Sequence, residues 1–182
     1  MHRLTIISFL LIAFASIVSH KVAHASLSVN DEKSVRDHYV KMEKVLSNRR
    51  DHEALVSFFH TAIHDEASFE MTFSNPAISK GQQTNLKMTK QDYINSFLVG
   101  SAQVHDYSAV VEPLEIKSEG STITALSLLK ERGYVLNPQD QSALPQYFES
   151  QTLCKSEHVE DNGAIQVVDS HCKTNVSYES AI

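Results

Sequence analysis

The chain has 182 residues, of which 42% are apolar and 21% charged, with only five Gly and four Pro. A chain of this length and mix forms about one domain with a proper core, which excludes a disordered, collagen-like or low-complexity protein. The net charge of −6 and the pI near 5.9 give no basic surface for nucleic acid or anionic membranes. Two Cys exclude a Cys-rich zinc module and a disulfide-dense miniprotein.

The first 25 residues have the pattern of a secretory signal peptide. Arg3 precedes an apolar run from Leu4 to Val18, and the small-x-small sequence Ala23-His24-Ala25 follows it. The run is short for a helix that must cross roughly 30 Å of hydrocarbon, which favours cleavage after Ala25 over an uncleaved anchor. We therefore predict a signal peptide over 1–25, a single domain over 26–182 and a secreted or periplasmic location.

Export also predicts the state of the two cysteines. In an oxidising compartment Cys154 and Cys172 should be paired, and their numbers are symmetric about Gly163 of a typical hairpin turn. The bridge is expected to be structural, since there is no Cys-x-x-Cys motif. The same register places Glu157 against Asp169, an unfavourable pair, so a β-bulge is the alternative there. Its other pairs are Phe148–Tyr178, Thr152–Thr174 and Val159–Val167.

Hydrophobic periodicity predicts an α+β domain. Apolar residues at helical spacing indicate helices over 28–50, over 51–63 and from a Thr89–Asp92 capping box onward. Strict alternation predicts a strand over 67–73, whereas residues 77–88 are polar and read as a loop with at most a short strand. Four further antiparallel strands are expected, at about 105–117, 121–132, 146–160 and 164–178. The expected element order is therefore α-α-β-α-β-β-β-β.

One segment carries a family resemblance. Phe58-Phe59-His60-Thr61-Ala62-Ile63-His64-Asp65-Glu66-Ala67-Ser68-Phe69 joins an aromatic-rich helix end to an acidic turn, a small residue and the first strand. This segment and the element order over about 35–178 resemble the nuclear transport factor 2-like superfamily, which includes SnoaL-type cyclases, ketosteroid isomerase and scytalone dehydratase. The resemblance implies a cone-shaped domain in which a curved antiparallel sheet wraps the long helix around an apolar pocket. It also puts Met71 where the isomerase has its general base, and methionine cannot move a proton.

The resemblance implies a pocket and a candidate acid–base set. Scytalone-dehydratase-like relatives use pocket His, Asp and Tyr side chains without a cofactor, which makes His105, Asp65, Tyr39 and Tyr107 the candidates here. The alternative for His105 is a solvated histidine at a strand edge. The residues expected to line the pocket are Phe58, Phe69, Phe73, Tyr93 and Phe97, with Tyr39 and Leu98.

Metal and cofactor signals are weak. His60 and His64 are one helical turn apart beside Asp65 and Glu66, but no third ligand is identifiable, so no metal is expected. His171, with acidic neighbours, is read as part of a charged outer sheet face. Nucleophile-elbow, phosphate-loop and dinucleotide motifs are absent from the sequence, so no cofactor is expected.

Three functions remain open. The first is an exported module that binds a small apolar ligand, which needs few convergent polar groups. The second is a cofactor-independent SnoaL-like or dehydratase-like enzyme. The third is an envelope interaction module that forms a homodimer through the outer sheet face. Neither nucleic acid nor, after signal cleavage, a membrane is an expected partner.

Overall fold

A computed structural model describes residues 30–74, 83–119, 121–135 and 145–179. The predicted signal peptide lies outside these residues, as do Gly120 of the predicted 118–120 turn and most of the predicted 133–145 loop. The described residues form three helices and six strands. No helix among them is both long enough and apolar enough to span a bilayer.

Two of the helices begin at capped residues. The Asp51 side chain accepts a hydrogen bond of 3.0 Å from the Ala54 amide, which fixes the start of the second helix. Thr89 and Asp92 form the predicted capping box at the start of the third helix, each accepting from the other's backbone N–H. The helices are α1 (Asn30–Ser47), α2 (His52–Ala62) and α3 (Lys90–Ser101).

The strands form one curved, open sheet in the order β2-β1-β6-β5-β4-β3. The α+β class is thereby confirmed, but β1 pairs with β6 in parallel, so the sheet is mixed rather than wholly antiparallel. Residues 83–89, predicted as loop or at most a short strand, form a seven-residue strand that pairs with β1. The strands are β1 (Ile63–Ser74), β2 (Gln83–Thr89), β3 (Val104–Glu119), β4 (Thr122–Val135), β5 (Gln146–Asp161) and β6 (Ala164–Glu179).

The β5–β6 hairpin has the predicted turn and disulfide. Cys154 and Cys172 lie directly opposite each other and are bonded, and Gly163 takes a φ of 76° in the turn. The predicted register holds from the pair Phe148–Tyr178 through Thr152–Thr174 to Glu157–Asp169. A bulge then follows, and Val159 lies opposite Gln166. The predicted Val159–Val167 pair is therefore wrong, because β6 contains one extra residue at Val168.

Opening the disulfide is expected to lower the free energy of unfolding by about 3 kcal/mol, because the bridge restricts the unfolded chain. The measurement is urea unfolding of the oxidised protein with and without reductant. A Cys154→Ser/Cys172→Ser variant is the control: it should match the reduced protein and ignore the reductant. An unchanged unfolding midpoint after reduction would contradict the prediction.

The helices pack against the concave face of the sheet and create the core there. Alternation along each strand sends every second side chain into this face, and the apolar stripes of the helices meet them. Leu46 and Leu55 are fully buried where α1 and α2 meet, and Ile123 of β4 is fully buried. The outer face carries a charged cluster, in which His171 lies 3.0 Å from a Glu70 carboxylate oxygen and 2.9 Å from one of Asp169. It also carries partly exposed apolar side chains, such as Val110 and Leu153.

Candidate functional site

The concave face and the helices form a half-open cavity of about 270 Å³. Its walls are formed mainly by apolar side chains from α1, α3 and the four strands β1 to β4. Three of these side chains are methionines, whose flexible thioethers adapt to irregular contents. The apolar lining residues are Met42, Met71, Phe73, Leu86, Met88, Phe97, Val111 and Leu129.

One wall of the cavity carries hydroxyl groups and the disulfide. Ser127 of β4 contributes one hydroxyl, and the Thr152 and Thr174 hydroxyl oxygens lie 2.9 Å apart in a mutual hydrogen bond. Cys154 and Cys172 line the same wall, since they share the inward phase of Thr152 and Thr174. This wall therefore offers a bound molecule a few hydrogen-bonding groups on a covalently fixed strand pair.

A charged group of residues occupies one end of the cavity. The Glu131 carboxylate accepts a hydrogen bond of 2.5 Å from the Tyr107 hydroxyl and one of 2.8 Å from the Ser150 hydroxyl. The guanidinium carbon of Arg49 lies 4.2 Å from the centre of the Tyr107 ring. Burial, followed by the charge of Glu131 and its hydrogen bond, raises the pKa of Tyr107, so its hydroxyl stays a proton donor. Each Glu131 oxygen has a second lone pair that can accept a hydrogen bond from a bound molecule.

A bulge at the start of β3 determines that Tyr107, and not His105, points toward Glu131 and Arg49. His105 lies opposite Tyr134 and Ser108 opposite Arg132, so two residues of β3 face the single Gly133 of β4. Asp106 takes a φ of 47° in the bulge, which turns Tyr107 inward and leaves His105 on the outer face with Tyr134. A Cβ at Gly133 would lie 3.0 Å from the His105 carbonyl oxygen, so a larger residue here requires the bulge to shift by a few tenths of an ångström.

Asp65, the predicted acid, also lies away from the cavity. Its side chain is 93% exposed and accepts a hydrogen bond of 2.9 Å from the Lys90 ammonium. That hydrogen bond and the charge of Lys90 hold the pKa of Asp65 below its usual range. The structure therefore does not bring the four predicted acid–base residues together. Tyr107 contacts Glu131 and Arg49, which line the cavity, whereas Asp65 and His105 do not line it.

A smaller inner cavity of about 50 Å³ lies beside the first and shares part of its wall. Tyr39 and His38 of α1 line it, and His158 of β5 contacts both through ring-centre distances of 5.8 and 5.7 Å. Burial, then His158 and Lys41, lower the pKa of His38 to about 3. Burial lowers the pKa of His158 to about 4, against a partial offset from the nearby backbone. Both imidazoles are therefore neutral near pH 7.

The predicted pocket aromatics divide between the two cavities. Phe73 and Phe97 line the large cavity, Phe58 and Phe69 the small one, and Tyr93 both. Leu98 packs against the core and lines neither cavity. Four charged or titratable residues were not predicted from the sequence: Arg49, His38 and His158, which are buried, and Glu131, which is half-buried.

Periodic spacing gave a signal for these missed residues. Arg49 continues the buried stripe of α1 three residues after Leu46, and His38 lies three residues after Val35. Glu131 and His158 have the inward phase of their strands, as Leu129 and Ser156 show. Polar side chains usually face solvent, so the only sequence signal for their inward position is this spacing.

The candidate metal ligands His60 and His64 lie on different elements, at the end of α2 and at the start of β1. His60 is exposed, and the ring nitrogen of His64 accepts a hydrogen bond of 3.2 Å from the Glu66 amide. Within residues 30–74, 83–119, 121–135 and 145–179, no three His, Cys, Asp or Glu side chains gather around a common point that could hold a metal ion.

Known proteins match the chain in structure and not in sequence. No protein-family profile and no curated protein sequence matches it. Hexachlorocyclohexane dehydrochlorinase LinA type 3 from Novosphingobium barchaimii superposes with a TM-score of 0.55 at 14% identity, covering 84% of this chain and 92% of that one. A candidate scytalone dehydratase from Novosphingobium aromaticivorans gives 0.56 at 7% identity, covering 84% and 89%. A cystatin-like protein of unknown function from Nostoc punctiforme gives 0.52 at 14%, covering 82% and 95%.

These likenesses establish the fold. The three proteins align over most of their own length, so the whole described domain is shared rather than a fragment. The chain has the cone-like α+β fold of these structures, which is the fold that the resemblance implied. The same fold holds many different activities, and the side chains of the cavity determine which one a given chain has.

Proposed function

We propose that this protein is an exported module that binds a small, mainly apolar molecule in the 270 Å³ cavity. The observation that carries the proposal is the cavity itself: apolar side chains form most of its surface, and polar groups gather on one wall and at one end. Ligand sites of this kind combine an apolar lining with a few placed polar groups.

Binding is preferred to catalysis because the predicted acid–base residues do not converge. Asp65 is exposed at the α2–β1–α3 corner and His105 lies on the outer face. The LinA structure shows that this fold can hold an enzyme, but 14% identity transfers no chemistry.

Export is supported by the disulfide. Stable disulfides belong to oxidising compartments, and the Cys154–Cys172 bond joins directly opposite residues of a regular hairpin. The sequence pattern over residues 1–25 supplies the targeting signal for that route.

The test of the proposed function is mass spectrometry on protein recovered after export from cells. The denatured mass should correspond to a chain beginning at Ser26 that lacks two hydrogens. The native spectrum should contain an additional small mass that is lost on denaturation. Bare protein that also fails to bind added apolar molecules would refute the proposal.

A cavity-blocking variant gives a sharper result. Met88→Trp places a large ring on the half-buried β2 wall of the cavity, and it should weaken binding of 1-octanol about tenfold or more by excluding it sterically. Val99→Trp is the control, because Val99 is 64% exposed on α3 and lines neither cavity. Isothermal titration calorimetry compares the two variants with the original protein. Equal affinities in all three proteins would place octanol outside the cavity.

A further inference from the structure

Arg49 is a buried cation at one end of the cavity. It follows the end of α1, is 8% exposed, and its guanidinium lies over the Tyr107 ring and 5.8 Å from the centre of the Phe97 ring. The carbonyl end of α1 favours a positive charge in this position. Among the described residues, however, no carbonyl group of that end accepts a hydrogen bond from the Arg49 guanidinium.

The guanidinium has no anionic partner among the residues that the structure describes. It donates no side-chain hydrogen bond there, and its buried Nε has no acceptor. Glu131 borders the same cavity and Asp106 borders a groove on the other side of Arg49, but neither forms an ion pair with it within 4.0 Å. An arginine has five N–H donors, and burying a charge without a partner is unfavourable.

Glu131 does not fill this role because its own oxygens are engaged elsewhere. One accepts from Tyr107 and the other from Ser150, at 2.5 and 2.8 Å. The Tyr107 side chain thus contacts both charged groups, with its ring under Arg49 and its hydroxyl on Glu131. The free donors of Arg49 are left for a molecule in the cavity.

We infer that the ligand of this cavity is an apolar carboxylic acid whose carboxylate binds Arg49. The inference deepens the proposed function and rests on it. A guanidinium fork matches the two oxygens of a carboxylate, and the apolar walls suit the rest of the molecule. A volume of 270 Å³ holds about nine non-hydrogen atoms at roughly 30 Å³ each. Medium-chain fatty acids and small aryl-alkanoic acids have this size.

The test compares octanoate with 1-octanol, which share a chain and differ in charge. Calorimetry at pH 7.5 on the exported protein should show octanoate binding about tenfold more tightly than octanol. Arg49→Met should remove that preference, so that the two compounds bind with similar affinity. Val99→Trp, which lies outside both cavities, should keep both affinities within about twofold. Glu131→Gln should increase the preference, since it removes a negative charge from the same cavity.

The outcomes separate this inference from the proposed function. Octanol binding without a preference for octanoate, or a preference that survives Arg49→Met, would overturn the carboxylate inference and leave apolar binding in place. Failure of both compounds to bind would remove the proposed function itself. If Arg49→Met does not fold, Arg49→Lys keeps the charge without the fork, and it should reduce the preference severalfold. An unchanged preference in that variant would equally overturn the inference.

Discussion

Between pH 7.5 and pH 5.5 the free energy of unfolding should fall by about 3 kcal/mol, because His38 and His158 are buried as neutral imidazoles. Their pKa values are about 3 and about 4 in the folded protein. In the unfolded chain both return to about 6.5, so the unfolded state takes up protons over this range and the folded state does not. The contribution of the two histidines to the free energy of unfolding is therefore present in full well above pH 6.5, and it is lost as the pH falls toward 4.

Urea unfolding at several pH values measures this decline. His158→Met should roughly halve the decline, because one of the two buried imidazoles is gone and methionine adapts to the space. His60→Asn is the control, since His60 is exposed on α2, and it should leave the decline unchanged. Asp65 and Asp92, whose pKa values lie below their usual range, titrate outside this window. Stability that does not change with pH, or an unaltered decline in His158→Met, would refute the assignment.

Replacing Lys90 with methionine should lower the free energy of unfolding by about 3 kcal/mol. The Lys90 side chain is buried, and its ammonium donates to the carbonyl oxygens of His60 and Ile63 at 2.9 and 2.6 Å and to the Asp65 carboxylate. These bonds join the end of α2, the start of β1 and the start of α3. Methionine fills the same space but leaves the two carbonyl groups without that donor.

The matched control for Lys90→Met is Asp65→Asn, measured by the same denaturant unfolding. Asp65 is exposed, so losing its charge should change stability much less than losing the donor to two backbone carbonyls. A larger effect in Asp65→Asn than in Lys90→Met would show that the ion pair, and not the backbone hydrogen bonds, stabilises this corner. Equal stability of Lys90→Met and the original protein would contradict the prediction outright.

Local features of the fold were predictable from the sequence. The Thr89–Asp92 capping box, the turn at Gly163 and the Cys154–Cys172 pair each depend on residues close along the chain or symmetric about a turn. The parallel pairing of β1 with β6 was not predictable in this way. It places Met71 opposite Cys172, about 100 positions further along the chain. Alternation within a strand predicts which side chains face the core, but it does not identify the neighbouring strand.

The candidate site was predicted less well than the fold, for two physical reasons. The bulge at Asp106 breaks the alternation that would give His105 and Tyr107 the same face, and the sequence contains no marker for it beyond Gly133 opposite. In addition, Arg49 and His38 are polar residues in buried positions. Their residue type predicts exposure to solvent, whereas their spacing from apolar residues predicts a position in the core. Their environment depends on tertiary packing.

The unequal stiffness of the cavity walls has a consequence for selectivity. The wall on β5 and β6 is held by the disulfide and the Thr152–Thr174 hydrogen bond, whereas the rest of the lining includes Met42, Met71 and Met88. Thioether side chains change rotamer at little energetic cost. Ligands that differ in branching should therefore bind with similar affinities, and discrimination between them should come from where their polar groups lie. Such a protein would act as a carrier for a chemical class more readily than as a receptor for one compound.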